Sequence, residues 1–283
     1  MWIAFDRHSL GRFVQNRLSL YDAAHGLPSN RSTRALFADR EGNIWAGLLD
    51  AGVVQFRDGK FATFGKPEGL AGNYIGNILQ DHDGSMWIGS DSNGLNHLLA
   101  NGRVEIWDHL KGIPDQAIFS IAQSRNGTLW TGFRNGFLAR IRNGNVTTFD
   151  DPQAPETSLN ALMEDRTGNL WVGFYGKGVA RFDGRKFHHV TTNGRISEIV
   201  QSIDGTIWAA SDGDGVERID QDHITYLTTV NGLPNNHVMC IFADRDGDLW
   251  VGTASGGLSR IRAGKITTTA RIPSASLWNP YKP

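Results

Sequence analysis

The chain has 283 residues, a formal net charge of −1, 34 glycines, nine tryptophans and a single cysteine. So even a charge balance argues against a bulk polyanion such as nucleic acid as partner. The lone Cys240 excludes an internal disulfide framework, and no apolar run is long enough to span a membrane as a helix.

The first residues, Met1-Trp2-Ile3-Ala4-Phe5-Asp6, carry no basic start and no apolar core, so no signal peptide is expected. Trp2 opens a series that continues with Trp45, Trp87, Trp130, Trp171, Trp208 and Trp250, at intervals of 43, 42, 43, 41, 37 and 42 residues. A fixed period of this length marks a repeat architecture. Five copies read Gly-x-aliphatic-Trp-x-Gly, at 42–47, 84–89, 127–132, 168–173 and 247–252; the copy at 205–210 ends in alanine. Other offsets agree. Six residues before a Trp stand Asp39, Asp81, Ser124, Asp165, Ser202 and Asp244. Seven residues after it come Gly52, Gly94, Gly178, Gly215 and Gly257, and ten after it Arg12, Gln55, His97, Arg140, Arg181, Arg218 and Arg260.

Within a unit the apolar period is two, which indicates strands. The seventh unit divides into strands at 237–242, 248–253, 258–262 and 265–269, with turns at Asp244-Arg245-Asp246-Gly247, Gly256-Gly257 and Ala263-Gly264. Four short antiparallel strands in each unit make a propeller blade, with the Trp on the second strand as the large apolar wedge. The expectation is an all-β, seven-bladed β-propeller of four-stranded antiparallel blades, with 1–283 as one domain. Trp2 sits on a second strand, so the first blade lacks its innermost one. The C-terminal segment 274–278 is expected to supply it and close the ring, which removes exposed sheet edges. The alternative is that both ends are cut from a longer array.

These motifs resemble the two-component regulator propeller repeat. Asp244-Arg245-Asp246-Gly247-Asp248-Leu249-Trp250-Val251-Gly252-Thr253 with Gly257-Leu258-Ser259-Arg260 matches it almost throughout, and 165–173 with Gly178-Val179-Ala180-Arg181 nearly as well. The linkers Gly26-Leu27-Pro28-Ser29-Asn30 and Gly232-Leu233-Pro234-Asn235-Asn236 are similar to that family's blade-to-blade connection. The resemblance implies a periplasmic or extracytoplasmic sensor half of a two-component histidine kinase that recognises glycan fragments or other small ligands. Any kinase activity lies in segments outside this chain. Without a signal peptide, a cytoplasmic location stays open beside the extracytoplasmic one.

Antiparallel connectivity puts the second-to-third loops and the blade-to-blade linkers on one face. Those loops differ from blade to blade, as a binding face on a repeated scaffold should. The candidate ligand-binding residues are Arg7, His8, Asp50, Asp91, Asn93, Arg134, Tyr175, Lys177, Asp212 and Asp214 from the loops, with Asn30, Asn73, Gln116 and Asn236 from the linkers. Their mixture of amides, carboxylates and a few cations suits a hydroxyl-rich ligand. The short opposite turns, such as Asp81-His82-Asp83-Gly84, read as turn chemistry rather than calcium loops, since no distal bidentate Glu follows. The recurrent Arg of the third strand reads as a structural clamp on a turn carboxylate or carbonyl. His188 and His189 stand on an outer strand, where neighbours face opposite ways, and Cys240 reads as core. No catalytic residue, metal or cofactor is assigned. The expected function is non-catalytic sensing of a small polar ligand or oligosaccharide, with a histidine kinase or another propeller as partner. The alternatives are a protein-interaction scaffold, or a polysaccharide lyase or hydrolase.

Overall fold

The computed structural model describes residues 2–5, 9–14, 17–28, 32–91, 94–114, 117–221 and 223–270. Seven antiparallel sheets follow one another along the chain, at 2–21, 33–64, 75–107, 118–149, 159–189, 196–227 and 238–270. They are the blades of a seven-bladed β-propeller, numbered here 1 to 7. Six have four strands in chain order from edge to edge, and blade 1 shows three. The strand expected to complete it, at 274–278, lies outside the described residues. The residues sort into two compact units, Met1–Arg134 with Leu138–Thr148 and Asn135–Phe137 with Phe149–Pro283.

The recurring offsets each have a physical cause. A buried indole N–H needs an acceptor, and the residue six positions earlier supplies it in every blade from 2 to 7. Trp45 donates to Asp39 at 2.8 Å, Trp87 to Asp81 at 2.6 Å and Trp130 to the Ser124 hydroxyl at 3.0 Å. Trp171 donates to Asp165 at 2.8 Å, Trp208 to Ser202 at 3.0 Å and Trp250 to Asp244 at 2.7 Å. Asp165 also takes the Asn169 amide and the Thr167 hydroxyl. Burial works to raise the Asp165 carboxyl, but these bonds win and hold it down at about 2. Asp165→Ala is expected to cost about 2–3 kcal/mol by orphaning a buried donor, and Asp165→Asn less; urea denaturation of both variants measures the difference.

The residue ten positions on lies directly across the ladder from the Trp: Trp171 pairs with Arg181, Trp208 with Arg218 and Trp250 with Arg260. Directly opposite residues share a face, so the guanidinium can reach the ring, as it does in blades 1, 6 and 7. Arg12, Arg218 and Arg260 sit 6.0, 5.8 and 5.6 Å from their Trp centroids, and His97 stacks on Trp87 at 3.8 Å. The expected clamp on a turn carboxylate is therefore only part of their role. Arg260 does bind Asp248 and Arg218 binds Asp220, while each also caps its own indole.

Two glycines show why the motif is glycine-rich. A Cβ on Gly173 would lie 2.5 Å from the Ile196 side chain, so this glycine lets blade 6 approach blade 5. Gly215 has φ +84°, and a Cβ there would meet the Leu227 carbonyl oxygen at 2.2 Å.

Four linkers carry a short 3₁₀ turn: Ala23–His25, Lys66–Glu68, His109–Lys111 and Thr229–Asn231. Each ends on a left-handed glycine, Gly26, Gly69, Gly112 or Gly232, and the next residue is buried: Leu27, Leu70, Ile113 or Leu233. These four side chains pack in the same apolar clusters as Phe61, Val104, Val146 and Ile266 on the next blade's fourth strand. Each such linker thus plugs the joint between consecutive blades. Between blades 5 and 6 the plug is missing. The linker there is only 190–195, against 65–74, 108–117, 150–158 and 228–237 elsewhere; it contains no 3₁₀ turn, and neither does 150–158.

Candidate functional site

Second-to-third loops and linkers meet within each unit, as the connectivity requires. Asp91 N–H donates to the Tyr74 carbonyl, Tyr175 to Ser158, Asp212 to Arg195 and Gly213 to Asn236, at 2.9–3.1 Å. The first three bonds join a loop to the linker that enters its own blade, and the last joins the blade 6 loop to the linker that enters blade 7.

At the unplugged joint a pocket of about 390 Å³ opens, lined by Asn193, Gly194, Gly213, Asp214, Glu217, Tyr226, Thr228 and Asn236. Strands Gly215–Asp220 and His223–Leu227 present Glu217 and Tyr226 opposite each other in register. Glu217 occupies the position nine residues after its Trp where Val54, Ala139 and Ala180 stand in other blades. It is 1% exposed. Its Oε2 accepts from the Thr191 hydroxyl at 3.0 Å, and Thr191 in turn accepts from Val179 N–H at 2.9 Å. Burial pushes the Glu217 carboxyl up to about 7, the Thr191 bond opposes this, and the neighbouring Asp214 charge adds to it. The Tyr226 phenol is also raised, by burial and then by the charges of Glu217 and Asp214. Asp214 is exposed and accepts from Ser211 Oγ at 3.1 Å. No cationic side chain lines the pocket.

Of the sequence-derived candidates, Asp214 and Asn236 border this pocket. The Asn236 Oδ1 is spent on Thr229 N–H at 2.7 Å, as the Asn73 Oδ1 is on Lys66 N–H at 3.0 Å, so both amides anchor their linkers. Asp212 is nearly buried and holds His237 Nδ1 at 2.6 Å. Tyr175 lies under Arg195, 5.7 Å from the guanidinium, and Lys177 is exposed beside it in sequence. In the other unit, Asp91 pairs with Arg34 at 2.8 Å. Burial raises the Asp91 carboxyl overall, and the Arg34 and Arg134 charges oppose this only in part. Asp50 is an exposed turn residue with φ 63°. Arg7, His8, Asn30, Asn93 and Gln116 fall outside the described residues. Glu217, Tyr226, Thr191 and His237 were not among the candidates. The signal that marks the first three is the 37-residue interval between Trp171 and Trp208, where the linker lost its plug.

Two further groups bear on the chemistry. Asp81, Asp83 and His97 bring donor atoms within 4.8 Å of one another. Each is engaged in holding its turn: Asp81 by Trp87 and Gln123, and Asp83 and His97 by Ser85. Cys240, expected in the core, is instead exposed on strand Val238–Ala243. Its neighbour Ile241 takes the buried position, because a bulge between Val238 and Cys240 breaks the alternation that starts at the buried Val238.

The family model of the two component regulator propeller matches residues 26–50, 69–92 and 232–255. No curated protein matches the chain. Among solved structures, the extracellular domain of a hybrid two component system from B. thetaiotaomicron superposes with a TM-score of 0.80 at 20% identity, over 92% of this chain and 38% of that one. An inactive virginiamycin B lyase from Staphylococcus aureus, solved with quinupristin, gives 0.74 at 17% identity, over 91% and 86%. PorZ of Porphyromonas gingivalis, a surface component of the type-IX secretion system, gives 0.70 at 15% identity, over 95% and 44%. At these identities the likeness carries the fold alone, and the chain spans well under half of the two-component extracellular domain. The chain is a β-propeller in which three segments match the two component regulator propeller repeat.

Proposed function

We propose that the chain is the non-catalytic ligand-sensing propeller of a two-component system, and that the pocket at the joint of blades 5 and 6 takes a neutral, hydroxyl-rich ligand such as a short oligosaccharide. The observation that carries this is the pocket's lining. Asp214 and the carboxyl of Glu217 stand beside the Asn193 and Asn236 amides and the Tyr226 ring. Acceptors, donors and one flat apolar face suit a sugar. The absence of a lining cation disfavours anions. An extracytoplasmic location and coupling to a histidine kinase fit the matched repeats and belong to the same proposal. Among the described residues no helix is long and apolar enough to cross a membrane.

Calorimetric titration with a panel of neutral oligosaccharides tests the reading. Asp214→Ala and Tyr226→Ala, both on exposed side chains, are expected to weaken binding at least about tenfold, or about 1.4 kcal/mol, with unchanged melting temperature. A panel without a binder, or variants that bind as the parent does, would overturn it. One observation favours an enzyme as the second reading: His237 is half-exposed and oriented by the nearly buried Asp212, the arrangement of an oriented general base. Turnover of a bound saccharide that His237→Ala abolishes without loss of binding would replace sensing by catalysis.

A further inference from the structure

The missing plug leaves a second recess, of about 340 Å³, bordered by Trp171, Arg181, His188, His189, Val190, Gln221 and Ile224. Ile224 is the counterpart of Phe61, Val104, Val146 and Ile266, which the linker plug covers at other joints. Here the linker brings only Val190 to the same apolar cluster, and Ile224 stays partly open. The recess therefore has an apolar wall of Trp171, Val190 and Ile224 beside the polar Arg181, His188, His189 and Gln221.

Its charge is unusual among the blades. Arg218 and Arg260 find carboxylates in Asp220 and Asp248. The residue of blade 5 that corresponds to Asp220 is Asp183, and it is taken: His188 Nε2 binds it at 2.7 Å, as do the backbone N–H groups of Arg185 and Lys186 at 2.8 Å. The residue corresponding to Asp248 is Asn169, which carries no charge and is bound to Asp165. His189 is held by Asp151 at 2.6 Å, both nearly buried. Arg181 is thus left, among the described residues, with no hydrogen bond, ion pair or ring contact, although it lies directly across the ladder from Trp171. A guanidinium fork is suited to a carboxylate in the two-bond mode.

We propose that this recess binds a small carboxylate with a flat apolar body, its carboxylate on Arg181 and its ring against Trp171 and Ile224. The site is separate from the sugar pocket in its residues and does not rest on the sensing reading. A ring gains from the apolar wall, and its charge gains from Arg181, the one cation among the described lining residues without a carboxylate partner. A bare anion would gain only the second.

The test is calorimetric titration of the full chain with benzoate, inorganic phosphate and benzyl alcohol as probes. Benzoate is expected to bind with a Kd of about 1 mM or tighter, the range open to a very small ligand. Phosphate and benzyl alcohol should each bind at least about tenfold more weakly. Arg181→Gln, on an exposed side chain, should reduce benzoate affinity at least about tenfold without lowering the melting temperature. Ile224→Asp should also reduce benzoate affinity, from the apolar side, with some loss of melting temperature because Ile224 packs on the Trp171 cluster. Benzoate that fails to bind at 10 mM, on the order of ten times that Kd, overturns the proposal. So does phosphate binding as tightly as benzoate, or an Arg181→Gln variant that retains full affinity.

Discussion

Replacing Trp171 by alanine is expected to destabilise the chain by about 3–5 kcal/mol, the range for truncating a large buried aromatic. The indole is 9% exposed and packs with Ala161, Val179, Ile196, Ile199, Ile207, Ala209 and Ile219, joining the faces of blades 5 and 6. The loss is chiefly of packing. Its acceptor Asp165 keeps the Asn169 and Thr167 bonds when the indole N–H is gone, so no buried carboxylate is orphaned. Trp171→Phe separates the two contributions, because it retains most of the contact area and drops only one hydrogen bond, worth about 1 kcal/mol. Urea midpoints for the two variants, read at constant slope, decide the matter. A cost for alanine below about 1 kcal/mol would mean that the wedge does not carry the joint.

The fold was legible because its causes are local in sequence and repeat at fixed offsets. The acceptor at minus six, the glycine at plus seven and the stacking cation at plus ten are each set by hairpin geometry, so seven copies make one pattern visible. Less of the site was legible. Asn73 and Asn236 attract notice as polar linker residues, yet their acceptors are occupied by linker N–H groups, which sequence spacing does not show. Glu217 escaped because it stands at a strand position that other blades fill with Val54 or Ala180, and a strand reading treats such a position as core. Its pocket is produced by a deletion elsewhere, in the 190–195 linker. Cys240 was misread because the apolar run 238–243 hides which alternate residues face inward; Ile241 does, and Cys240 and Phe242 do not. For Glu217 the deciding fact is a contact with Thr191, distant in the chain, whereas for the asparagines it is a bond to a backbone N–H within the same linker.

The pH dependence of stability follows from the same buried carboxyl. Glu217 has an ordinary value of 4.5 and is raised to about 7 in the folded chain. Below about pH 4.5 it is protonated in both states and contributes nothing to the pH dependence. Between about 4.5 and 7 the unfolded chain has released this proton while the folded chain holds it, so stability falls as pH rises. Above about pH 7 the loss is complete, at about 3 kcal/mol. Glu198, on strand Ile196–Gln201 of the same blade, is raised to about 7 as well, through burial opposed by the Ile241 N–H bond, so the parent chain carries both losses. Glu217→Gln isolates one of them. The amide resembles the protonated carboxyl in shape and can still accept from the Thr191 hydroxyl, so little should change at pH 4. At pH 8 the variant is expected to be more stable than the parent by up to about 3 kcal/mol, since it has no proton to lose. Denaturation of both proteins from pH 4 to pH 8 measures the difference. A gap between them that stays constant across that interval would show that Glu217 is ionised in the fold, and that the pocket is wetter than its burial implies.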